Sequence, residues 1–227
     1  MYRPDNGELS SAELTAARAE LVSYSARLLD DGLAVGSAGN LSVRVGDVVA
    51  ITPSGVPYHR VRPQDICLVA MDGTELAAAQ TPSSETPMHL GIYAATGASA
   101  IVHTHSPEVI ALSASRDELP AIHYAITGLG GPVRVARYVR FGSEGLAAAA
   151  VEAMAGRSAA ILQNHGAITC GRGLTEAYDR ALLLEWLART YRLALSYGAA
   201  PRILSAAELA EVTAEARRRR YGEPRAT

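Results

Sequence analysis

Near the start of the chain apolar residues return at alternating intervals of three and four: Leu14, Ala17, Leu21, Tyr24 and Leu28 mark one face of a helix. Ser10, with Glu13 three residues later, forms a capping-box pattern at its start, and Asp31-Gly32 stops it. After the loop Gly36-Ser-Ala-Gly-Asn40 the period changes. Residues 41–45 and 48–52 are β-branched runs joined by Gly46-Asp47, the signature of a hairpin, and Thr52-Pro-Ser-Gly55 is a turn. A strand over 66–70, a turn at Met71-Asp72-Gly73-Thr74 and a helix from about Ser84 to Thr96, ending at Gly97, follow.

The apolar run 99–104 predicts a strand, and Ser106-Pro107 opens a short helix, proline being suited to the first helical turn. Residues 133–136 and 159–163 are further strands, with an alanine-rich helix over 143–155 between them. The longest helix covers about 174–197, with Tyr178, Leu182, Glu185 and Arg189 marking its faces, and closes at Gly198 before Pro201. Ser205 and Glu208 form a second capping box for a final helix. No internal repeat, linker or low-complexity tract interrupts this order. The expectation is one α/β domain over 1–227, in which a sheet rich in hairpins is covered by helices.

Composition narrows the function classes. With 227 residues, 48% hydrophobic and 19% charged, the chain can bury a sizeable core, and a net charge of −2 supplies no basic surface for nucleic acid or an anionic membrane. The one basic cluster, residues 217–220, suits the solvated last turn of a C-terminal helix, where cations meet the negative end of the dipole. Cys67 and Cys170 are far apart, without metal-ligand spacing, and fit the core. The opening MYRPDNGELSSAEL lacks a signal-peptide pattern, and no apolar stretch is long enough to span a bilayer, so a cytoplasmic location is expected.

Candidate chemistry gathers at histidines. His103-Thr104-His105 closes the apolar run Ala-Ser-Ala-Ile-Val; on a strand, residues two apart share a face, so two imidazoles stand side by side while Thr104 points away. Burying both without partners is costly, and a metal gives both a purpose, although a structural hydrogen-bonded pair is the alternative. His165, in Gln163-Asn164-His165-Gly166 after another apolar run, would complete a three-nitrogen set with an open coordination position. His59 and His123 stand alone and are more readily satisfied core or surface residues. In Pro82-Ser83-Ser84-Glu85-Thr86-Pro87-Met88-His89, two serines at a helix start offer backbone N–H groups and hydroxyls to an anion; an ordinary N-cap with Glu85 in the first turn explains the same pattern. Gly39-Asn40 and Ser54-Gly55 are turns in isolation. No Walker or Rossmann loop, GxSxG elbow or HExxH helix is present, which moves weight toward lyase chemistry.

Taken together, SAGNLSV, TPSGVPY, PSSETPMH, IVHTHS, PAIHY and QNHGAI occur in the order found in the class II aldolase and adducin-head family, and the chain resembles its L-fuculose-1-phosphate aldolase branch. The resemblance runs from the first helix to Tyr221 and implies a three-layer α/β/α fold with a mostly antiparallel sheet. It implies that His103, His105 and His165 hold one zinc ion per subunit. Glu85 would be a fourth ligand at rest and a general base once substrate binds. Gly39, Asn40, Ser54, Gly55, Ser83 and Ser84 map onto the family's phosphate pocket. Tyr124 maps onto a tyrosine that protonates the aldehyde oxygen from a neighbouring subunit, Phe141 onto a wall of the aldehyde pocket, and Tyr221 onto a tyrosine of the tail, in an arginine-rich surround that departs from the family's.

The implied reaction splits a ketose 1-phosphate, L-fuculose 1-phosphate being the single best match, into dihydroxyacetone phosphate and a short aldehyde such as L-lactaldehyde. Cleavage beside a ketone leaves an enediolate, which a dipositive ion held by three neutral imidazoles can stabilise, while the bound phosphate orients the substrate. Loss of a positioned base such as Glu85 would cost roughly 10²- to 10⁴-fold in rate. The alternatives are a methylthioribulose-1-phosphate dehydratase, an aldolase of another 5-deoxy-sugar phosphate and, outside enzymes, an adducin-head-like binding module. Epimerases of the fold usually carry Asp where Glu85 stands. The resemblance also implies a homotetramer with active sites between subunits.

Overall fold

The first helix, α1 (Ser11–Asp30), buries Ala17, Leu21, Ser25 and Leu28, the side that the alternating spacing selects. The computed structural model describes residues 11–219. The capping role of Ser10, the last arginine of the basic cluster and Tyr221 all lie outside the described residues. Strands β1 (Asn40–Val45) and β2 (Val48–Ile51) form the expected hairpin, with Val45 opposite Val48 across the two-residue turn. There follow β3 (Cys67–Ala70), β4 (Glu75–Ala77), α2 (Thr86–Ala95), β5 (Ala100–Thr104), α3 (Pro107–Ser113), β6 (Glu118–Leu119) and β7 (Val133–Ala136). The chain continues with α4 (Glu144–Ala153), β8 (Ala159–Leu162), β9 (Gly166–Gly171), α5 (Leu174–Ser196) and α6 (Ala206–Arg218).

These strands make one sheet in the order β4-β3-β2-β1-β5-β9-β8-β7-β6. Every adjacent pair is antiparallel except β7 with β8, although only β1/β2, β3/β4 and β8/β9 are joined by short turns. Alternation along the strands sorts side chains into two helix layers. On β2, Val49 and Ile51 pack with α2 and α4, while Val48 and Ala50 pack with α1 and α5. On β5, Ile101 faces α2 and α4, whereas Ala100 and Val102 face α1 and α5. A third cluster joins α3 and the second half of α5 to β7, β8 and β9. The fold is therefore the expected three-layer α/β/α arrangement around a mostly antiparallel sheet.

Several details differ from the sequence expectation. Helix α2 begins at Thr86 with Glu85 as its N-cap, so Ser83 and Ser84 precede the helix; Pro87 in the first turn needs no N–H partner. The Ser83 N–H is not free but donates to Thr52 O at 3.3 Å. Strand β8 stops at Leu162, one residue short of Gln163. Strands β4, β6 and β9 and the 3₁₀ turns Tyr58–Arg60, Pro63–Asp65 and Tyr124–Leu129 are additional. At the far end the expected capping box is present: Ser205 Oγ accepts from Glu208 N at 3.3 Å and Glu208 accepts from Ser205 N at 2.7 Å. Arg218 and Arg219 both pair with Glu215, whose single carboxylate offsets part of the cluster's charge. Both cysteines are free and buried, as expected, and no helix among the described residues is long and apolar enough to cross a membrane.

Candidate metal centre

Residue parity on β5 places His103 on the same face as Ile101, toward α2 and α4, and His105 just past the strand end turns to the same side. Their rings stand 4.8 Å apart between centroids, and each Nε2 is 3.0 Å from the other. Across the sheet, β8 and β9 are joined by a tight turn with Leu162 opposite Gly166. That turn projects His165 onto the pair, its centroid 4.9 Å from His103 and 4.8 Å from His105. Two glycines permit this convergence. A Cβ on Gly166 would lie 2.0 Å from Thr104 O, and one on Gly39 would lie 2.6 Å from His103 O, where the backbone also has a left-handed φ of 79°.

The fourth member comes from the N-cap of α2. Glu85 makes no side-chain capping bond; its carboxylate turns inward, with Oε2 2.8 Å from His103 Nε2 and Oε1 3.3 Å from His165 Nε2. One ligand atom from each of Glu85, His103, His105 and His165 fits within a 4.8 Å span. The donor set suits a divalent ion. His103 Nδ1 lies 2.8 Å from the Ala167 carbonyl, which can only accept, so Nδ1 carries a proton and Nε2 is the nitrogen turned toward the cluster, able to bind an ion once it gives up its own proton. Three imidazoles and one carboxylate crowded at such distances repel unless a proton or a cation lies among them.

The electrostatics agree. Burial would raise the Glu85 pKa, but His103, His165 and the Asn40 amide outweigh it and hold the carboxyl well below its ordinary range. Burial would likewise lower His103, and the Glu85 carboxylate outweighs that and raises it. Burial, then the charge on His103, pushes His105 down to about 3 and His165 down to about 4, so both keep lone pairs at neutral pH.

A cavity of about 290 Å³ opens onto this cluster. Its walls include every residue that the resemblance assigns to phosphate: Gly39, Asn40, Ser54, Gly55, Ser83 and Ser84. Glu85, His105 and His165 line it too, and Tyr138, Val139 and Phe141 form an apolar side, while His103 is fully buried behind. The Tyr58 hydroxyl pins the Gly39 carbonyl at 2.5 Å. A larger groove of about 650 Å³ runs along α2 and α4 and contains none of the histidines. Tyr124 does not line the histidine cavity of its own chain. It begins the 3₁₀ turn Tyr124–Leu129, stacks on His123 at 4.3 Å, is 55% exposed, and belongs to the α5 side of the sheet, where His123 meets Trp186.

Sequence reasoning singles out Asn40 for phosphate but misses its bond to Glu85 and the polar residues behind it. Asn40 Nδ2 donates to Glu85 Oε2 at 3.0 Å, and Asn40 Oδ1 is 2.6 Å from His89 Nε2. His89 Nδ1 is 2.6 Å from Ser42 Oγ, which is 2.7 Å from the Tyr93 hydroxyl. The usable signal is spacing: Glu85, His89 and Tyr93 recur every four residues on one helix face, and Asn40 and Ser42 are two apart on a facing strand. Asn164, also on the cavity wall, is the one non-glycine residue with positive φ, 54°, among the described residues, and its N–H donates to Ser113 Oγ at 2.9 Å.

Residues 19–192 match the family described as class II aldolase and adducin N-terminal domain. The chain is 37% identical over 199 residues to a 5-deoxy-D-ribulose 1-phosphate aldolase of Bacillus thuringiensis serovar kurstaki, covering 86% of this chain and 93% of the relative. It is 39% identical over 199 residues to a 5-methylthioribulose-1-phosphate/5-deoxyribulose-1-phosphate aldolase of Rhodospirillum rubrum, covering 87% and 89%. Among solved structures, an L-fuculose 1-phosphate aldolase superposes with a TM-score of 0.85 at 36% identity, over 89% of this chain and 96% of the other.

Proposed function

The chain belongs to the class II aldolase and adducin N-terminal domain family, and on that premise we propose that it is a zinc-dependent aldolase cleaving a ketose 1-phosphate to dihydroxyacetone phosphate and a short aldehyde. One observation carries the proposal: the cluster of Glu85, His105 and His165, with His103 behind, shares a cavity with the serine- and glycine-rich loops at Gly39-Asn40, Ser54-Gly55 and Ser83-Ser84. A binding module has no need to gather three imidazoles against a carboxylate.

His103, His105 and His165 would hold the metal, with Glu85 alongside at rest. The ion would supply a Lewis acid for the negative charge that builds on the ketone oxygen. The rest falls to side chains and loops. Gly39, Asn40, Ser54, Gly55, Ser83 and Ser84 bind the phosphate and so orient the carbon skeleton. In the direction of synthesis, Glu85 accepts the proton lost from carbon next to the ketone, and Tyr124 of a neighbouring copy gives a proton to the aldehyde oxygen as the carbon–carbon bond forms. The exposure of Tyr124 on the far side of the sheet supports a donor role from another subunit, in the homotetramer that the resemblance implies.

The apolar side made by Tyr138, Val139 and Phe141 favours an aldehyde that ends in a methyl or methylthio group over one that ends in a hydroxyl. L-Fuculose 1-phosphate and 5-deoxyribulose 1-phosphate both meet this requirement, and the names of the similar proteins span both. The test is a coupled assay of dihydroxyacetone phosphate release from these substrates and 5-methylthioribulose 1-phosphate, with and without chelator. Release that is lost on chelation and restored by zinc is expected. Conversion of 5-methylthioribulose 1-phosphate without dihydroxyacetone phosphate release would replace the aldolase assignment with dehydration, and activity unaffected by chelation would remove the metal from it.

A further inference from the structure

Behind the metal-ligating cluster, Tyr93, Ser42, His89, Asn40 and Glu85 form an unbroken line of hydrogen-bonded side chains, all 5% exposed or less. The direction of each bond follows from the carboxylate end. A carboxylate accepts only, so Asn40 Nδ2 must donate to Glu85 Oε2. That turns Asn40 Oδ1 toward His89, and an amide carbonyl also accepts only, so the proton must sit on His89 Nε2. The neutral ring then accepts at Nδ1 from Ser42, whose oxygen accepts from Tyr93. Reversing the amide would set its NH₂ against the His89 N–H and its carbonyl against the Glu85 carboxylate. One orientation of Asn40 is allowed: the Glu85 carboxylate sets it, and the His89 Nε2–H holds it.

The consequence reaches the carboxylate. Oε2 is held by Asn40 and His103, whereas Oε1 is buried without a hydrogen-bond partner among the described residues, its nearest basic atom being His165 Nε2 at 3.3 Å. We infer that His89 is a positioning residue for Glu85: acting through Asn40, it fixes Oε2 and leaves Oε1 as the oxygen presented to a metal or to a substrate proton. The inference rests on the assignment of Glu85 as the base, proposed above.

Two measurements test it. Long-range proton–nitrogen NMR of the full chain labelled with ¹⁵N-histidine reads the His89 tautomer, the resonance being identified by its loss in His89→Gln. The Nε2–H form is expected with and without zinc; the Nδ1–H form would overturn the inference. The second follows exchange of the dihydroxyacetone phosphate carbon-bound proton with D₂O in the zinc-loaded enzyme. His89→Leu should lower kcat by about 10- to 100-fold with KM changed by less than about 3-fold, as expected when a reacting group is slightly misplaced. His89→Gln, whose amide N–H reaches the position of Nε2, should retain the rate within about 3-fold. Unchanged kcat in His89→Leu would overturn the inference, and if that variant fails to fold, His89→Asn, too short to reach Asn40, takes its place. Glu85→Gln separates the two assignments: if it exchanges at the original rate, the base assignment fails; if it is slow while His89→Leu is not, only the role of His89 fails.

Discussion

At Glu85 burial and pairing pull in opposite directions, and the imidazole neighbours win: the carboxyl is held ionised against the rise that burial would cause. His89 shows the other outcome. Fully buried, it is pushed down to about 3, first by burial and then by the charge on His103. The sign of its effect on stability follows. The unfolded chain takes up this proton near its ordinary pKa of 6.5, and the folded chain does not until about 3. Between those values the unfolded state binds more protons, so stability falls as pH drops, by up to about 1.4 kcal/mol per pH unit for this one group. Urea unfolding of metal-free protein from about pH 7 to pH 4 should therefore be steeper in pH for the parent chain than for His89→Gln. Equal slopes would show that the ring is not held neutral in the fold.

The elements that hold the site meet at two close approaches, and the tighter one makes a direct prediction. Because a Cβ at position 166 would lie 2.0 Å from Thr104 O, Gly166→Ala must push β9 away from β5 and move His165 off the cluster. It should cost roughly 2 kcal/mol or more in urea unfolding, whereas Gly97→Ala, with nothing within 4 Å, should change stability by less than about 1 kcal/mol. Equal small effects would mean that the strand pair does not fix the histidine. The same elements show what the sequence makes legible. The β1/β2 hairpin is announced by two β-branched runs around Gly-Asp, and α1 and α5 by long periodic patterns. Strand β9 is hidden because Gly166–Gly171 is buried at every position and bounded by glycines, so it shows no alternation. Strand β4 is exposed at all three positions, and β6 is two residues long.

Over the whole molecule, β1, the turn after β2, the start of α2, the end of β5, the β8–β9 turn and the loop around Phe141 bring their side chains to one cavity. The paired histidines are legible because the spacing of His103 and His105 on a strand is local, whereas Glu85 by itself reads as a helix N-cap and enters the site only through the resemblance. The Asn40–His89–Ser42–Tyr93 line is not legible, since strand spacing and helix spacing acquire meaning only once β1 and α2 face each other. Tyr124 does not line the histidine cavity of its own chain, so a single chain gives no geometric sign of the role the resemblance implies for it. Metal analysis of protein purified without chelator shows whether Glu85, His103, His105 and His165 form a metal centre. About one divalent ion per chain is expected, zinc in the simplest case, together with its loss in folded His103→Ala. No stoichiometric divalent metal in a fully active parent protein, or the same metal content in His103→Ala, would contradict it.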